Sequence, residues 1–198
     1  MSLWVKICGL TTEEGVTAAV SAGADAIGFV FAPSKRRITP SDAKRLAGLA
    51  PASIKRVAVM LHPTQAQFDE MFEVFAPDVL QTDAEDLLDL RIPSTLAVMP
   101  VVRSQSGLPR PLPQRLLFEG VVSGAGTTAD WTQAGAVAST TELVLAGGLH
   151  ANNVSAAIRA VRPFGVDVSS GVERAPGIKD ATKISEFVQA ARAAAEQV

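Results

Sequence analysis

Short apolar runs rich in β-branched residues alternate along the chain with stretches whose apolar positions recur every three or four residues. The runs predict strands at residues 5–8, 26–31, 56–60, 79–81, 95–102, 115–119, 142–146 and 166–168. The helical stretches cover 12–22, 40–49, 64–75, 83–90, 151–161 and 179–196, with Thr11 or Thr12, Thr39 before Pro40, and Asn152 as N-cap candidates. Ala26-Ile27-Gly28-Phe29-Val30-Phe31 is apolar without alternation, which predicts a parallel strand covered on both faces. Repeated strand–helix alternation predicts an α/β fold, a (β/α)8 TIM barrel of eight parallel strands. An open doubly wound sheet is the competing arrangement. Eight strands within 198 residues favour closure, because an open sheet leaves two edges to protect.

Two connections depart from the pattern. Residues 103–114 read RSQSGLPRPLPQ, and three prolines and a glycine in twelve residues argue against a helix. The fifth helix is therefore expected to be missing, replaced by an irregular Pro-rich link. Segment 130–138 is short and predicts a weak sixth helix. No linker divides the chain, so 1–198 is read as one domain.

Composition narrows the function. With 47% hydrophobic residues the chain is globular, and a net charge of −2 provides no basic surface for nucleic acid. No signal peptide or membrane-spanning run is read, and one cysteine makes no internal disulfide. These features point to a cytoplasmic protein that neither enters a membrane nor binds nucleic acid; a monomer or homodimer is expected, with no feature of the composition deciding between them.

In such a barrel, chemistry sits at the C-terminal strand ends. The first strand brings Cys8 there, with Lys6 on the same face one layer below. A neighbouring ammonium favours the thiolate, although a buried, inert thiol is the ordinary state of a free cysteine. The second strand leads into Ser34-Lys35-Arg36-Arg37, a solvated basic loop or a carboxylate clamp. Strands three and four bring His62, read as a surface residue, then Gln81 and Asp83. Strand six ends in Glu119. Gly147-Gly148 follows strand seven; Asp167 and then Ser169-Ser170-Gly171 follow in strand eight. The glycine turns are either ordinary strand–helix turns or a phosphate cradle of free backbone N–H groups. With only His62 and His150 in the chain, no histidine-based metal or nucleophile cluster is built. Together these parts suggest an enzyme that moves a proton on a sugar phosphate.

The chain also resembles the phosphoribosylanthranilate isomerases of tryptophan biosynthesis. The resemblance rests on KICGLT at 6–11, AGADAIGFVF then SKR within 22–36, LQ at 80–81, GAGTTADW at 124–131, LAGGL then NNV within 145–154, and DVSSGVE then PGIKD within 167–180. It implies Cys8 as general base, Glu119 as general acid, and Arg36 on the anthranilate carboxylate. Gln81 and Asp167 are implied as substrate contacts, and the Gly147, Gly148, Ser170 and Gly171 backbones as the phosphate site. It implies the Amadori rearrangement of N-(5-phosphoribosyl)anthranilate, a small phosphorylated substrate, with no metal or organic cofactor. A protonated Glu119 is expected to need burial or a neighbouring negative charge. Four places depart from the family pattern. Glu119 stands where Asp is usual, and Gln81-Thr82-Asp83-Ala84 replaces QLHG. The glycine-rich segment reads Ser123-Gly124-Ala125-Gly126, and Arg37 replaces an aromatic. Another phosphosugar isomerase or epimerase, or a non-catalytic barrel that binds a phosphorylated ligand, are the alternatives.

Overall fold

The computed structural model describes residues 3–104, 107–120 and 129–197. Among them, eight parallel strands close a barrel in the order β1 to β8. They are β1 (Trp4–Cys8), β2 (Ala26–Val30), β3 (Lys55–Val59), β4 (Val79–Asp83), β5 (Ala97–Arg103), β6 (Arg115–Glu119), β7 (Glu142–Leu145) and β8 (Gly165–Val168). The helices are α1 (Glu13–Ser21), α2 (Pro40–Ala47), α3 (Gln65–Phe75), α4 (Trp131–Ala138), α5 (Ala151–Val161) and α6 (Ala181–Ala195). None is long and apolar enough to cross a membrane.

Strand alternation sorts the apolar residues into two cores. Val5, Ile7, Phe29, Leu80, Val102, Phe118 and Val166 face outward against the helices. Ala26, Val57, Met99, Val101, Leu117, Val144 and Ala146 fill the barrel. At the N-terminal end, the Arg115 guanidinium lies 4.1 Å from the Phe164 ring and 5.8 Å from Trp4, and pairs with Glu142 at 2.7 Å. That end is plugged. Toward the other end the interior turns polar, with Lys6, Gln81, Asp83 and Asp167 all buried. Buried polar side chains on a barrel's inner face are retained at a cost in solvation, so they mark the working end.

Helix starts follow local chemistry. Thr12, Thr39 and Thr64 accept from backbone N–H groups at the heads of α1, α2 and α3, and Asp130 and Asp180 do so for α4 and α6. Asn152 is not a cap. It lies inside α5, whose N-cap is His150, and Asn153 Oδ1 accepts from the His150 N–H at 2.8 Å.

Two helix boundaries are corrected. No helix spans 83–90: Asp83 closes β4 and only a 3-10 turn, Asp86–Leu88, follows. The acidic groups there bond sideways, Asp83 to Arg103 and Asp86 to His62 and Thr82, instead of supporting a helix. At the C-terminal side, residue 179 does not begin a helix. After a second 3-10 turn (Ser170–Val172) come β9 (Glu173–Ala175) and β10 (Ile178–Lys179), an antiparallel hairpin that places Lys179 in the interior. Between β5 and β6, Ser104 and residues 107–114 form no helix, as the prolines predict. α4 is eight residues long.

Candidate active site

Cys8 lies at the inner top of β1, above Lys6. Lys6 is paired in register with Asp167 of β8, and its Nζ sits 2.8 Å from Asp167 Oδ1. Space for this layer comes from β2. A Cβ added at Gly28 would lie 3.0 Å from Cys8 Sγ and 3.0 Å from Lys6 Cε. Burial pushes the Lys6 ammonium toward neutrality, but Asp167 more than reverses this and holds it above its ordinary value. The thiol behaves differently from the expectation that Lys6 alone would favour its ionisation. Burial pushes the Cys8 thiol up, Lys6 pulls it down, Asp167 pushes it up again, and the net shift is upward. Burial is the leading effect, and Asp167 offsets part of the pull that the ammonium exerts on the sulfur. At neutral pH the resting group is a thiol.

A second ionic cluster borders the same mouth. Glu173 on β9 takes the Arg36 Nε at 2.7 Å and Nη2 at 3.0 Å, a two-toothed pair. Lys179 on β10 binds the same carboxylate at 3.0 Å and donates to the Ser169 carbonyl at 2.9 Å. Burial would raise the Glu173 carboxyl, but Arg36 and Lys179 bring it below its usual range. Burial lowers Lys179, which is nearly inaccessible. Arg36 is thus seated by Glu173. Glu173 and Lys179 lie inside the quoted sequence fragments, but the hairpin that makes them partners has no signal in the hydrophobic pattern.

The two glycine turns meet. Gly147 and Gly148 have φ of 90° and 62°, which side chains disfavour. The Asn153 Nδ2 donates to the Gly148 carbonyl at 2.9 Å, tying this turn to the head of α5. A Cβ at Gly171 would overlap the Leu149 carbonyl oxygen, so only glycine lets the Ser170–Val172 turn sit against the β7 turn. Among the described residues, no acceptor meets the backbone N–H of Gly148 or Gly171. Paired turns of this kind hold anions through the backbone.

Glu119 ends β6 and faces inward, two positions beyond Leu117. Its side chain is 12% exposed, and Oε1 lies 3.3 Å from Arg103 Nε. Arg103 is in register with Glu119 and gives Nη1 and Nη2 to the two Asp83 oxygens at 2.8 Å each. The expected neighbour that would keep Glu119 protonated is therefore a guanidinium, which favours the carboxylate instead. Gln81 is buried one layer below Asp83, and its Oε1 has no partner among the described residues. His62 is exposed and bonded through Nδ1 to Asp86 at 2.7 Å; it does not enter the mouth. The sequence marks Arg103 only as the start of an irregular link, and its part in the site is a finding of the structure. The period-two alternation from Met99 and Val101 is the signal that places it inside. Ser123-Gly124-Ala125-Gly126 lies outside the described residues.

A cleft of about 720 Å³ runs beside the mouth between the β2–α2 and β3–α3 connections, lined by Phe31, Arg37, Ile38, Arg45 and Met60. Cys8 and Glu119 are not among its walls, so the chemistry is assigned to the barrel mouth and not to this cleft. Ionisable side chains gathered at the C-terminal end of a closed parallel barrel mark an enzyme of the (β/α)8 class acting on a small, polar substrate.

Residues 5–190 match the model of the N-(5'-phosphoribosyl)anthranilate (PRA) isomerase family, and the chain belongs to that family. An N-(5'-phosphoribosyl)anthranilate isomerase of Streptococcus pneumoniae is 41% identical over 187 residues, covering 93% of this chain and 94% of its own. The crystal structure of phosphoribosyl anthranilate isomerase from Thermotoga maritima superposes with a TM-score of 0.82 at 32% identity, covering 96% of this chain and 99% of its own. A structure of such an isomerase in complex with reduced 1-(o-carboxyphenylamino)-1-deoxyribulose 5-phosphate has a TM-score of 0.79 at 32% identity, with the same coverage.

Proposed function

We propose that the protein catalyses the Amadori rearrangement of N-(5-phosphoribosyl)anthranilate to 1-(2-carboxyphenylamino)-1-deoxyribulose 5-phosphate in tryptophan biosynthesis. The observation that carries the reading is the placement of Cys8 and Glu119 on inward-facing strand ends of one mouth, within a chain that matches the family from 5 to 190. The backbone turns at Gly147-Gly148 and Ser170-Gly171 hold the substrate phosphate, and Arg36, seated by Glu173, holds the anthranilate carboxylate. Gln81 and Asp167 line the space between. Glu119 in its acid form protonates the furanose ring oxygen, and the ring opens to a Schiff base. The Cys8 thiolate then takes the C2′ proton, and the enolamine tautomerises to the aminoketone.

Both catalytic groups must leave their resting state. The thiol has to lose a proton, and the carboxyl beside Arg103 has to hold one. Thiolate with protonated acid and thiol with carboxylate contain the same number of protons, so the competent form is a minor member of a coupled pair. Binding energy from the remote phosphate and carboxylate offsets that minority by orienting the sugar. The same reading places the protein in the cytoplasm, as monomer or homodimer.

The test is turnover of freshly generated substrate by purified protein, with product followed chromatographically. Cys8→Ala and Glu119→Gln are each expected to lower kcat by roughly 100- to 10,000-fold. Wild-type-like turnover in either variant removes that residue from its role, and a wild-type protein that binds the product analogue without turnover indicates a binding module.

A further inference from the structure

We propose that Arg103 and Asp83 are positioning residues for the Glu119 acid, sharing one guanidinium between two carboxylates so that the longer Glu side chain is held at the strand end and feels only part of the cationic charge. The inference rests on the proposed role of Glu119. It starts from the register: Arg103 on β5 lies directly opposite Glu119 on β6. The next residue secures the backbone, since the Ser104 N–H donates to the Glu119 carbonyl at 2.9 Å and the Ser104 hydroxyl at 3.1 Å. The same hydroxyl accepts from the Asp130 N–H at the head of α4. Arg103 and Ser104 thus fix Glu119 by side chain and by main chain.

The sharing is unequal. Asp83 takes the two terminal nitrogens at 2.8 Å each, and Glu119 faces Nε at 3.3 Å. A fork bound on its terminal nitrogens is the stronger geometry, so Asp83 is the principal counter-ion. Hydrogen bonding to Asp83 leads the effects that hold Arg103 above its ordinary value, against the effect of burial, with Glu119 and Asp86 contributing less.

Further groups near this corner come, among the described residues, from the neighbouring strands and connections. Asp86, from the 3-10 turn after β4, accepts from His62 and Thr82. The His62 Nε2 lies 3.7 Å from Asp83 Oδ2, from the β3–α3 connection. The residue after β7, Ala146, is apolar. Lys6, Cys8 and Asp167 project from β1 and β8. Asp83 stands where a histidine is usual in the resembled pattern, and Glu119 where Asp is usual. Arg103 joins the two departures.

The signs follow directly. Neutralising Asp83 removes the principal counter-ion of Arg103, so Glu119 feels more of the guanidinium charge, which favours the carboxylate. Removing Arg103 favours the protonated acid. The experiment is the pH dependence of kcat for wild type, Asp83→Asn, Arg103→Met and the double variant. With thiol and carboxylate as the resting pair, the carboxyl sets the acidic limb and the thiol the alkaline one. The acidic limb is expected to move to lower pH in Asp83→Asn, and a displacement of about one unit lowers the plateau roughly tenfold because the competent form becomes rarer. In Arg103→Met the acidic limb moves to higher pH and the plateau falls, because the carboxyl loses its anchor. The double variant leaves neither charge unpaired, and its limb returns toward the wild-type position.

A uniform loss in both single variants with an unmoved limb would reduce the pair to a structural role and overturn the proposal. So would an Asp83→Asn enzyme inactive at every pH beside an active Glu119→Gln enzyme, since Asp83 would then be the acid. Wild-type inactivity, in contrast, defeats the functional reading itself.

Discussion

Lys6 and Asp167 stand opposite each other across the seam between β1 and β8, and their charged ends meet at 2.8 Å directly beneath Cys8. The pair explains why a lysine is tolerated in a fully buried position. It also helps explain why that lysine does not make the thiol strongly acidic: burial, the leading effect, together with Asp167 outweighs the pull of the ammonium.

Substituting Lys6 by Met should move the thiol further from ionisation. The nearest cation goes, and Asp167 remains as an unanswered negative charge, so both changes have the same sign. Thiolate absorbance against pH is expected to show Cys8 ionising above an ordinary thiol in wild type and higher still in the variant. With thiol and carboxylate as the resting pair, thiol ionisation sets the alkaline limb of turnover, which should move to higher pH in step, while the plateau falls about tenfold for each pH unit of that movement. Breaking the buried pair should also cost about 3–5 kcal/mol in urea unfolding.

Gly28→Ala tests the space that β2 yields to β1. The new methyl would be 3.0 Å from both Cys8 Sγ and Lys6 Cε, tighter than ordinary contact. A destabilisation of about 1–3 kcal/mol is expected. On the proposed role of Cys8 as base, kcat should fall more than KM rises, because the ligand anchors stay in place. Thermal unfolding and steady-state kinetics read the two effects separately.

Glu173→Gln should loosen the Arg36 clamp. With its two-toothed partner weakened, KM is expected to rise roughly tenfold with a smaller change in kcat. The variant also alters acid stability. The folded-state carboxyl lies below its usual range, so its stabilising effect is complete above about pH 4.3 and is lost as pH falls through the lower folded value. The amide that replaces it cannot titrate, and denaturant midpoints measured from pH 6 to pH 3 should show a shallower decline in the variant than in wild type.

Gly171→Ala places a methyl against the Leu149 carbonyl and separates the two anion turns. Inorganic phosphate should inhibit the wild type competitively and the variant at least about tenfold more weakly. An unchanged inhibition constant would remove the turns from phosphate binding.

Much of the barrel is legible because buried parallel strands are written as unbroken apolar runs, and 26–30 and 115–119 fall where those runs lie. That Lys6 and Cys8 share a face follows from alternation alone. Local patterns fail where a polar residue is satisfied by a distant strand. Asp83 has the local signature of a helix residue, but its pairing with Val101 of β5 and its bond from Arg103 hold it on β4. Lys179 has the signature of a first helical turn because the hairpin that buries it is two short strands with little apolar content. Asn152 loses the cap to His150 because the Asn153 side chain already closes that turn. Least legible is charge state. Whether Lys6 acidifies Cys8 depends on Asp167, 161 residues away from Lys6.

That seam has a consequence for synthesis. β8 is the last barrel strand made, and only its arrival gives β1 a second neighbour. At ribosomal speeds of about 5–20 residues per second, Lys6 waits on the order of ten to thirty seconds for its counter-ion to emerge. Throughout that interval the half-built sheet carries an unanswered ammonium on the strand edge that is still open, where a charge discourages pairing with the wrong chain. The residue that later lies beneath the Cys8 sulfur thus guards the nascent polypeptide first.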